Sequence, residues 1–351
     1  MSGGDPLLRA LEQLGETLPG AARTRAAESM SRHYRDVDRS IPVTAALGST
    51  EDVVAYAVTR MPATYAAAQA ALTALAGSRG AAADAGAFEP RTLLDLGGGL
   101  GAAAYAAARA WPSIEDVVII DSQPIVFAAA RQLHESLGRN APRAIWRATW
   151  KRQDLVRSGD GELQFDRADL VTIAYVLSEV PAAARQSILD AACAASRSAV
   201  VVIEPGTPSG YRRIMDARAA MISAGLEIAA PCPHGLECPL AAGEDWCHFS
   251  ARLARTRAHR TAKSGRLGYE DEKFSYVAAV RGAAPAGDRR SRIIRHPTWR
   301  KSLVELRLCM PEHPHPAVAT ARVPRSRGAL YRAARASSWG DTWPPAESRD
   351  S

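Results

Sequence analysis

Residues 93–101 read Leu-Leu-Asp-Leu-Gly-Gly-Gly-Leu-Gly and run straight into an alanine-rich stretch at 102–110. An apolar run, glycines at 97, 99 and 101, and a helix-forming segment leave few options. A strand must turn tightly into a helix, and the glycines let the backbone approach a ligand closely. Twenty residues after Gly101, the apolar run Val117-Val-Ile-Ile ends in Asp121. A carboxylate at the end of a second strand can accept hydrogen bonds from both hydroxyls of a ribose. A lone glycine loop would be weak evidence. Strand, loop, helix, strand and acid in this order predict a nucleoside-binding α/β unit.

The flanking pattern extends that unit. Strands are predicted at 92–96, 116–120, 169–175 and 199–204, with helices at 101–110, 124–137 and 181–195, the alternation of a doubly wound parallel sheet. Residues 5–80 read helical: Leu7, Leu8, Leu11 and Leu14 recur at helical spacing, Ser49 is placed to cap a helix, and Pro62 marks a kink or break. Residues 77–90 have the composition of a linker. A Pro-, Cys- and Arg-rich insertion is expected over 205–272, then a strand at 274–280 and two strands at 302–309 and 317–323 around a Pro/His-rich turn. The expected organisation is an N-terminal helical region (1–90), an α/β domain (91–281) carrying the insertion, and a small β-rich C-terminal extension (282–345).

Asp95 narrows the choice of nucleotide. A carboxylate two residues before the first glycine suits a dinucleotide's pyrophosphate poorly, whereas S-adenosylmethionine brings an ammonium and a sulfonium and no phosphate. The pattern Asp-x-Gly-x-Gly-x-Gly resembles the class I methyltransferase fold over roughly 91–281. That resemblance implies that Asp95, Gly97, Gly99 and Gly101 line the methionine end and that Asp121 takes the ribose. Asp154 would lie by the adenine, although a plain loop acid explains it equally well. Tyr175, with Ser178 and Glu179, lies at the C-terminal end of a strand, where such sheets bind ligands. No catalytic base is evident. The segment Ile173-Ala-Tyr-Val-Leu-Ser-Glu-Val lacks both the Asn/Asp-Pro-Pro-aromatic tetrad of amino-methylating enzymes and the Pro-Cys of enzymes that attack pyrimidine C5.

Five cysteines in 351 residues rule out a disulfide-dense scaffold. Cys193 lies in Ala-Ala-Cys-Ala-Ala, a helix interior. The other four, Cys232, Cys238, Cys247 and Cys309, include three within sixteen residues, among prolines and beside His234 and His248. Four thiolates suit zinc or an iron–sulfur cluster. Zinc usually takes tighter Cys-x2-4-Cys pairs, while Cys-Pro recurs at ferredoxin-type clusters, and spacing alone leaves both open. Charge is also uneven. Residues 251–335 hold 17 Arg and 3 Lys against 6 acids, a surplus of +14 on a body of −7. A basic segment on an acidic body points to a polyanionic partner, and Arg252, Arg255, Arg257, Arg260 and Lys263 are its first candidates for phosphate contacts. Trp246 and Phe249 would pack around the metal centre or stack on bases.

With these pieces in place, the chain resembles the methyltransferase-like proteins of the small ribosomal subunit found in bacteria and mitochondria. The matching segments are 94–101, Ala-Tyr-Val-Leu-Ser-Glu (174–179), Val-Ile-Glu-Pro-Gly-Thr-Pro-Ser-Gly (202–210), Pro-Cys-Pro-His-Gly (231–235), Asp-Trp-Cys-His-Phe-Ser (245–250), Glu-Asp-Glu-Lys-Phe-Ser-Tyr (270–276), Leu-Cys (308–309) and Ser-Ser-Trp-Gly-Asp (337–341). The resemblance implies a [4Fe–4S] cluster on Cys232, Cys238, Cys247 and Cys309, and a role in maturation of the small subunit and its rRNA. It implies either an S-adenosylmethionine-dependent methyltransferase acting on that rRNA or a non-catalytic assembly factor that binds it. A small-molecule methyltransferase is the remaining alternative. A monomer is expected. No apolar run approaches the ~20 residues of a membrane span. Asp5, Glu12 and Glu16 in an N-terminus without a basic-then-apolar leader point to the cytoplasm.

Overall fold

The computed structural model describes residues 5–18, 49–80, 88–156, 163–254, 268–282, 290–311 and 315–344. Among the described residues three helices come first: α1 (Pro6–Glu16), α2 (Thr50–Thr59) and α3 (Met61–Gly80). Asp5 caps α1 by accepting from the Leu7 amide at 2.9 Å, and a reciprocal capping box between Ser49 and Asp52 starts α2. The break between α2 and α3 falls at Arg60, two residues before Pro62.

Strands and helices then alternate: β1 (Thr92–Leu96), α4 (Ala102–Ala110), β2 (Asp116–Asp121), α5 (Pro124–Leu137), α6 (Arg143–Trp146), β3 (Thr149–Arg152), β4 (Ala168–Ala174), α7 (Ala182–Ala195), β5 (Ser196–Pro205), α8 (Pro208–Ser223), β6 (Glu227–Ala230), β7 (Phe249–Ala254) and β8 (Tyr269–Val280). The sheet order is β3-β2-β1-β4-β5-β8-β6. The first five strands are parallel, and β8 runs antiparallel between β5 and β6. This order, with an antiparallel strand inserted beside β5, is the class I methyltransferase fold. Phe274 of β8 pairs with both Pro205 and Phe249, so β7 lies along the β8 edge away from β5. Within 205–272, therefore, 208–223 is helix and 227–230 and 249–254 are strands of the large sheet.

Each face of the sheet has its own core. On one face the leucines of α1 and the Val/Ala/Leu stripes of α2 and α3 join α4 and α5 over Leu93, Ile119 and Val201. On the other, α7 and α8 cover Leu94, Val171 and Val202. Cys193 is buried in this second core, where burial pushes its thiol up to about 11. Side chains alternate along a strand, so a strand covered on both faces reads as a nearly continuous apolar run, as Val200–Ile203 does.

The chain ends in a second sheet: β9 (Ser291–Ile293), β10 (Thr298–Arg300), β11 (Leu303–Met310), β12 (Ala317–Pro324), helix α9 (Ala329–Ala336) and β13 (Thr342–Trp343). Central β11 pairs with β10, β9 and β12, and β9 also pairs with β13. Val304, Leu306, Leu308, Val323, Ala334 and Trp343 form its small core. Among the described residues no helix is long and apolar enough to cross a membrane.

Candidate functional site

The glycine loop links β1 to α4. Gly97, Gly99 and Gly101 all have positive φ, at 66°, 54° and 84°. At Gly97 a side chain is excluded twice, since a Cβ there would also lie 2.5 Å from Val176 Cγ2. Gly98, which the motif leaves free, is constrained as well: a Cβ would lie 2.5 Å from Asp95 Oδ2. The loop is also held from outside. The Gly99 amide donates to Asp121 Oδ2 at 3.0 Å, and Trp150 Nε1 donates to the Gly99 carbonyl at 3.2 Å. Asp121 Oδ1 accepts from the Gln123 amide at 2.9 Å. Both oxygens of Asp121 are thus engaged with backbone, each with lone pairs to spare for a ribose.

Asp95 is fully buried behind this loop. Its Oδ1 accepts from the Thr172 hydroxyl at 2.7 Å, while Oδ2 is buried with no hydrogen bond of normal geometry. Burial pushes the carboxyl up to about 7, against the opposing pull of the Thr172 hydroxyl and the Ala104 amide. A buried carboxylate with a spare oxygen at the start of a glycine loop suits a cationic ligand group. Asp154 bonds within its own turn, accepting from the Val156 amide at 2.8 Å. Tyr175 follows β4 with a left-handed φ of 63°. Its hydroxyl donates to Glu272 Oε1 at 3.0 Å, and Arg60 Nη2 lies 3.7 Å from the same oxygen. Burial and the Glu272 charge raise the Tyr175 hydroxyl well above its ordinary range, so it stays protonated.

Glu204, at the end of β5, is another residue the motifs do not reveal. It is fully buried and pairs with Arg213 Nε of α8 at 2.5 Å. Its other oxygen accepts from the Leu177 amide at 3.0 Å and so fixes the loop after β4. Helix α8 faces two ways. Arg213 reaches back to the end of the sheet, while Tyr211 and Arg218 reach to the cysteines.

Cys232, Cys238, Cys247 and Cys309 line one cavity, together with Tyr211, Arg218, Phe249, Tyr276 and Arg292. All four thiols are free. Cys309 arrives on β11 in register with Arg292 and Val318. Strict alternation makes its face the exposed one, which Glu305 and Arg307 share. Cys309 is nevertheless buried, because the 231–247 segment with Tyr211 and Ile294 covers it. Tyr211 OH lies 3.2 Å from Cys238 Sγ, and His234 Nε2 lies 3.6 Å from Cys309 Sγ. Arg218 donates to the His234 and Leu236 carbonyls at 3.1 and 2.6 Å and so shapes the loop between Cys232 and Cys238. Ser275 of β8 donates to the Cys247 carbonyl at 2.8 Å. Burial, reinforced by neighbouring thiols, raises Cys232, Cys247 and Cys309, the last to about 12. Among the described residues no three His, Cys, Asp or Glu side chains are grouped as ligands of a metal ion. The four thiols share the lining of this one cavity.

Around this cavity, Trp246 stacks on His248 with centroids 5.3 Å apart and donates from Nε1 to the Gly206 carbonyl at 3.0 Å. Phe249 is buried against Phe274, Tyr276 and Trp339. Trp339, from the Ser-Ser-Trp-Gly-Asp segment, also packs edge-on against His248 and His296. Both aromatic residues named for packing or stacking are therefore packed. Arg252 makes a two-point pair with Asp271 and lies over Tyr269. Arg255, Arg257, Arg260 and Lys263 lie outside the described residues.

Compared with known proteins, residues 50–344 match the profile of a family described as "mitochondrial small ribosomal subunit Rsm22". The chain is 33% identical over 271 residues to the human protein named "ribosome assembly protein METTL17, mitochondrial", covering 74% of this chain and 56% of that protein. It thus spans little more than half the length of this relative. Among solved structures, magnesium protoporphyrin IX methyltransferase of Synechocystis PCC 6803 overlaps 67% of this chain and 85% of its own at 14% identity and a TM-score of 0.40. Human N-acetylserotonin methyltransferase overlaps 68% of this chain and 59% of its own at 16% identity and 0.36. The strand order, rather than these partial overlaps, establishes the fold.

Proposed function

The chain belongs to the Rsm22 family, and from that premise we propose that it acts in assembly of the small ribosomal subunit. In this reading it binds the subunit's rRNA as a monomer, holds S-adenosylmethionine at the glycine loop and carries a structural [4Fe–4S] cluster on Cys232, Cys238, Cys247 and Cys309. The ribosome-assembly role named for the human relative supports the first part. One observation carries most of the rest: four cysteines from two distant stretches of sequence meet in one cavity, joined by α8 to the end of the nucleoside-binding sheet. Four thiols lining one cavity supply the donors of a cluster, and a single zinc ion is the alternative donor chemistry. Such a centre would tie the 232–247 loops to β11 and contribute folding free energy in the manner of a structural metal.

S-adenosylmethionine, when bound, supplies an electrophilic methyl group. Asp95 would pair with its cationic methionine end, and Asp121 would accept from its ribose. Asp154 would lie by the adenine. Tyr175, fixed by Glu272, would close the site as a hydroxyl group rather than act as a base. That fixed hydroxyl, with the missing Asn/Asp-Pro-Pro-aromatic tetrad, favours a second reading: the fold binds the cofactor and rRNA without methyl transfer. The same proposal keeps the three-part organisation at 1–90, 91–281 and 282–345. It also keeps the cytoplasm as the compartment, although the human relative is mitochondrial by name.

Two measurements test the proposal. Calorimetry with S-adenosylmethionine should give saturable binding, and no heat at millimolar cofactor would remove the cofactor from the account. Affinity for 16S rRNA should fall steeply with salt, as phosphate contacts require, and salt-independent or absent binding would remove the RNA role.

A further inference from the structure

Trp299 is the most exposed large apolar side chain among the described residues, with 59% of its surface open. Its position explains both its face and its exposure. The register pairs Trp299 with Val304, and Val304 with Val323, so all three side chains share one face of the C-terminal sheet. Helix α9 and Trp343 bury Val304 and Val323. Trp299 stands on the three-residue edge strand β10, at the rim of that cover, where Arg335 of α9 reaches it. The Arg335 guanidinium carbon sits over the indole, 5.9 Å from the ring centroid. Trp299 lies outside the small core of this sheet, so its exposed indole is open to a partner.

The surroundings indicate the partner's charge. Residues 291–343 carry nine arginines and one lysine against three acids. Lys301, Arg325 and Arg327 are exposed, and the Arg325 amide donates to the Ser302 carbonyl at 2.8 Å, which holds that turn beside the β10–β11 hairpin. Glu305 is turned to the opposite face, where it pairs with Arg300 and Arg322. An exposed indole under one guanidinium, with further exposed cations on the adjoining hairpin and turn, is the combination that binds unpaired nucleotides: a base stacks on the ring while cations hold the phosphates. A tryptophan can also anchor a protein interface, but the cationic surplus favours a polyanion.

We infer that the rim of the C-terminal sheet around Trp299 and Arg335 is a binding site for unpaired RNA, with one base stacked on the indole. This rests on the rRNA reading above and says where on the chain that RNA lies. The test uses the full chain, a fluorescein-labelled 12-nucleotide oligoadenylate and in vitro-transcribed 16S rRNA, with Kd measured by anisotropy and filter binding. Trp299→Ala should weaken oligoadenylate binding roughly tenfold, whereas Trp299→Phe should retain most of it. Arg335→Gln should weaken it about threefold and flatten the salt dependence. Because the side chain is exposed, the melting temperature of Trp299→Ala should stay within about 1 °C of the parent. If the parent binds 16S rRNA and Trp299→Ala binds both RNAs equally well, the site is refuted while the rRNA reading stands. If the parent binds neither RNA, both fall.

Discussion

Replacing Asp95 by Asn is the most informative perturbation of the glycine loop, because it links the buried charge to the ligand that would neutralise it. The side chain keeps its shape and can still accept from Thr172. Burial raises the carboxyl from 3.8 in the unfolded chain to about 7 in the folded one. For an acid shifted upward, the folded state binds its proton more tightly than the unfolded state. The associated stability is complete below pH 3.8 and is lost as pH rises through about 7. Between pH 5 and pH 8 that loss amounts to roughly 2 to 3 kcal/mol. Urea denaturation of the ligand-free protein at pH 5, 6, 7 and 8 should therefore show the parent losing stability relative to Asp95→Asn by about this amount. S-adenosylmethionine should bind the parent more tightly as pH rises from 6 to 8, because its ammonium and sulfonium reward the ionised carboxylate, and Asp95→Asn should lose that pH dependence. Parallel pH curves for parent and variant would refute the buried, proton-holding carboxyl. An unchanged cofactor affinity in the variant would refute its role toward the ligand.

Other perturbations read separate parts of the molecule. Glu204→Gln leaves the buried Arg213 without its counter-charge and should cost about 3 kcal/mol in denaturant titration; a cost below about 1 kcal/mol would show that the pair does not anchor the loop after β4. Gly97→Ala must accommodate both the positive φ and the Val176 contact, so it should lower stability by roughly 2 kcal/mol and abolish calorimetric binding of S-adenosylmethionine. Retained binding would mean that the loop does not need the glycine. Glu272→Gln should leave the fold intact, since Tyr175 can still donate to the amide oxygen. It should also move the ionisation of Tyr175 to lower pH, read by ultraviolet titration, because the carboxylate charge helps hold the hydroxyl protonated. An unmoved titration would remove that charge from the account.

How much of this was legible in the sequence differs from residue to residue. The glycine loop and the apolar runs around it specified β1, β2, β4 and β5 to within a few residues, because a strand covered on both faces is apolar at most positions. The Ser49 cap and the break near Pro62 were equally local. Strand β7 was not legible: Phe249-Ser-Ala-Arg-Leu-Ala lies among arginines and forms because β6 covers only the end of β8 and leaves the rest of that edge open. Three-residue strands such as β9 and β10 carry no periodicity to read. The four metal-type cysteines stood out by type and company, yet spacing could not show that Cys309 would meet the other three; that depends on β11 presenting its otherwise exposed face to the 231–247 segment. Glu204 and Glu272 were quoted within motifs without a role. A buried carboxylate is recognisable only from its partners, and Tyr175 lies 97 residues from Glu272 along the chain. The cationic surplus was plain from composition. The exposure of Trp299 was not, because exposure at a sheet rim follows from register and helix placement.

In the proposed molecule Cys232, Cys238, Cys247 and Cys309 share one inorganic centre that joins the loops beside α8 to the C-terminal sheet. Anaerobic purification followed by iron, acid-labile sulfide and zinc analysis tests it most directly. A brown protein with about four iron and about four sulfide per chain, its colour lost in both Cys232→Ser and Cys309→Ser, is the expected result. A colourless protein with one zinc would replace the cluster by a different centre, and full iron and sulfide retained in Cys309→Ser would contradict the joining of the two segments.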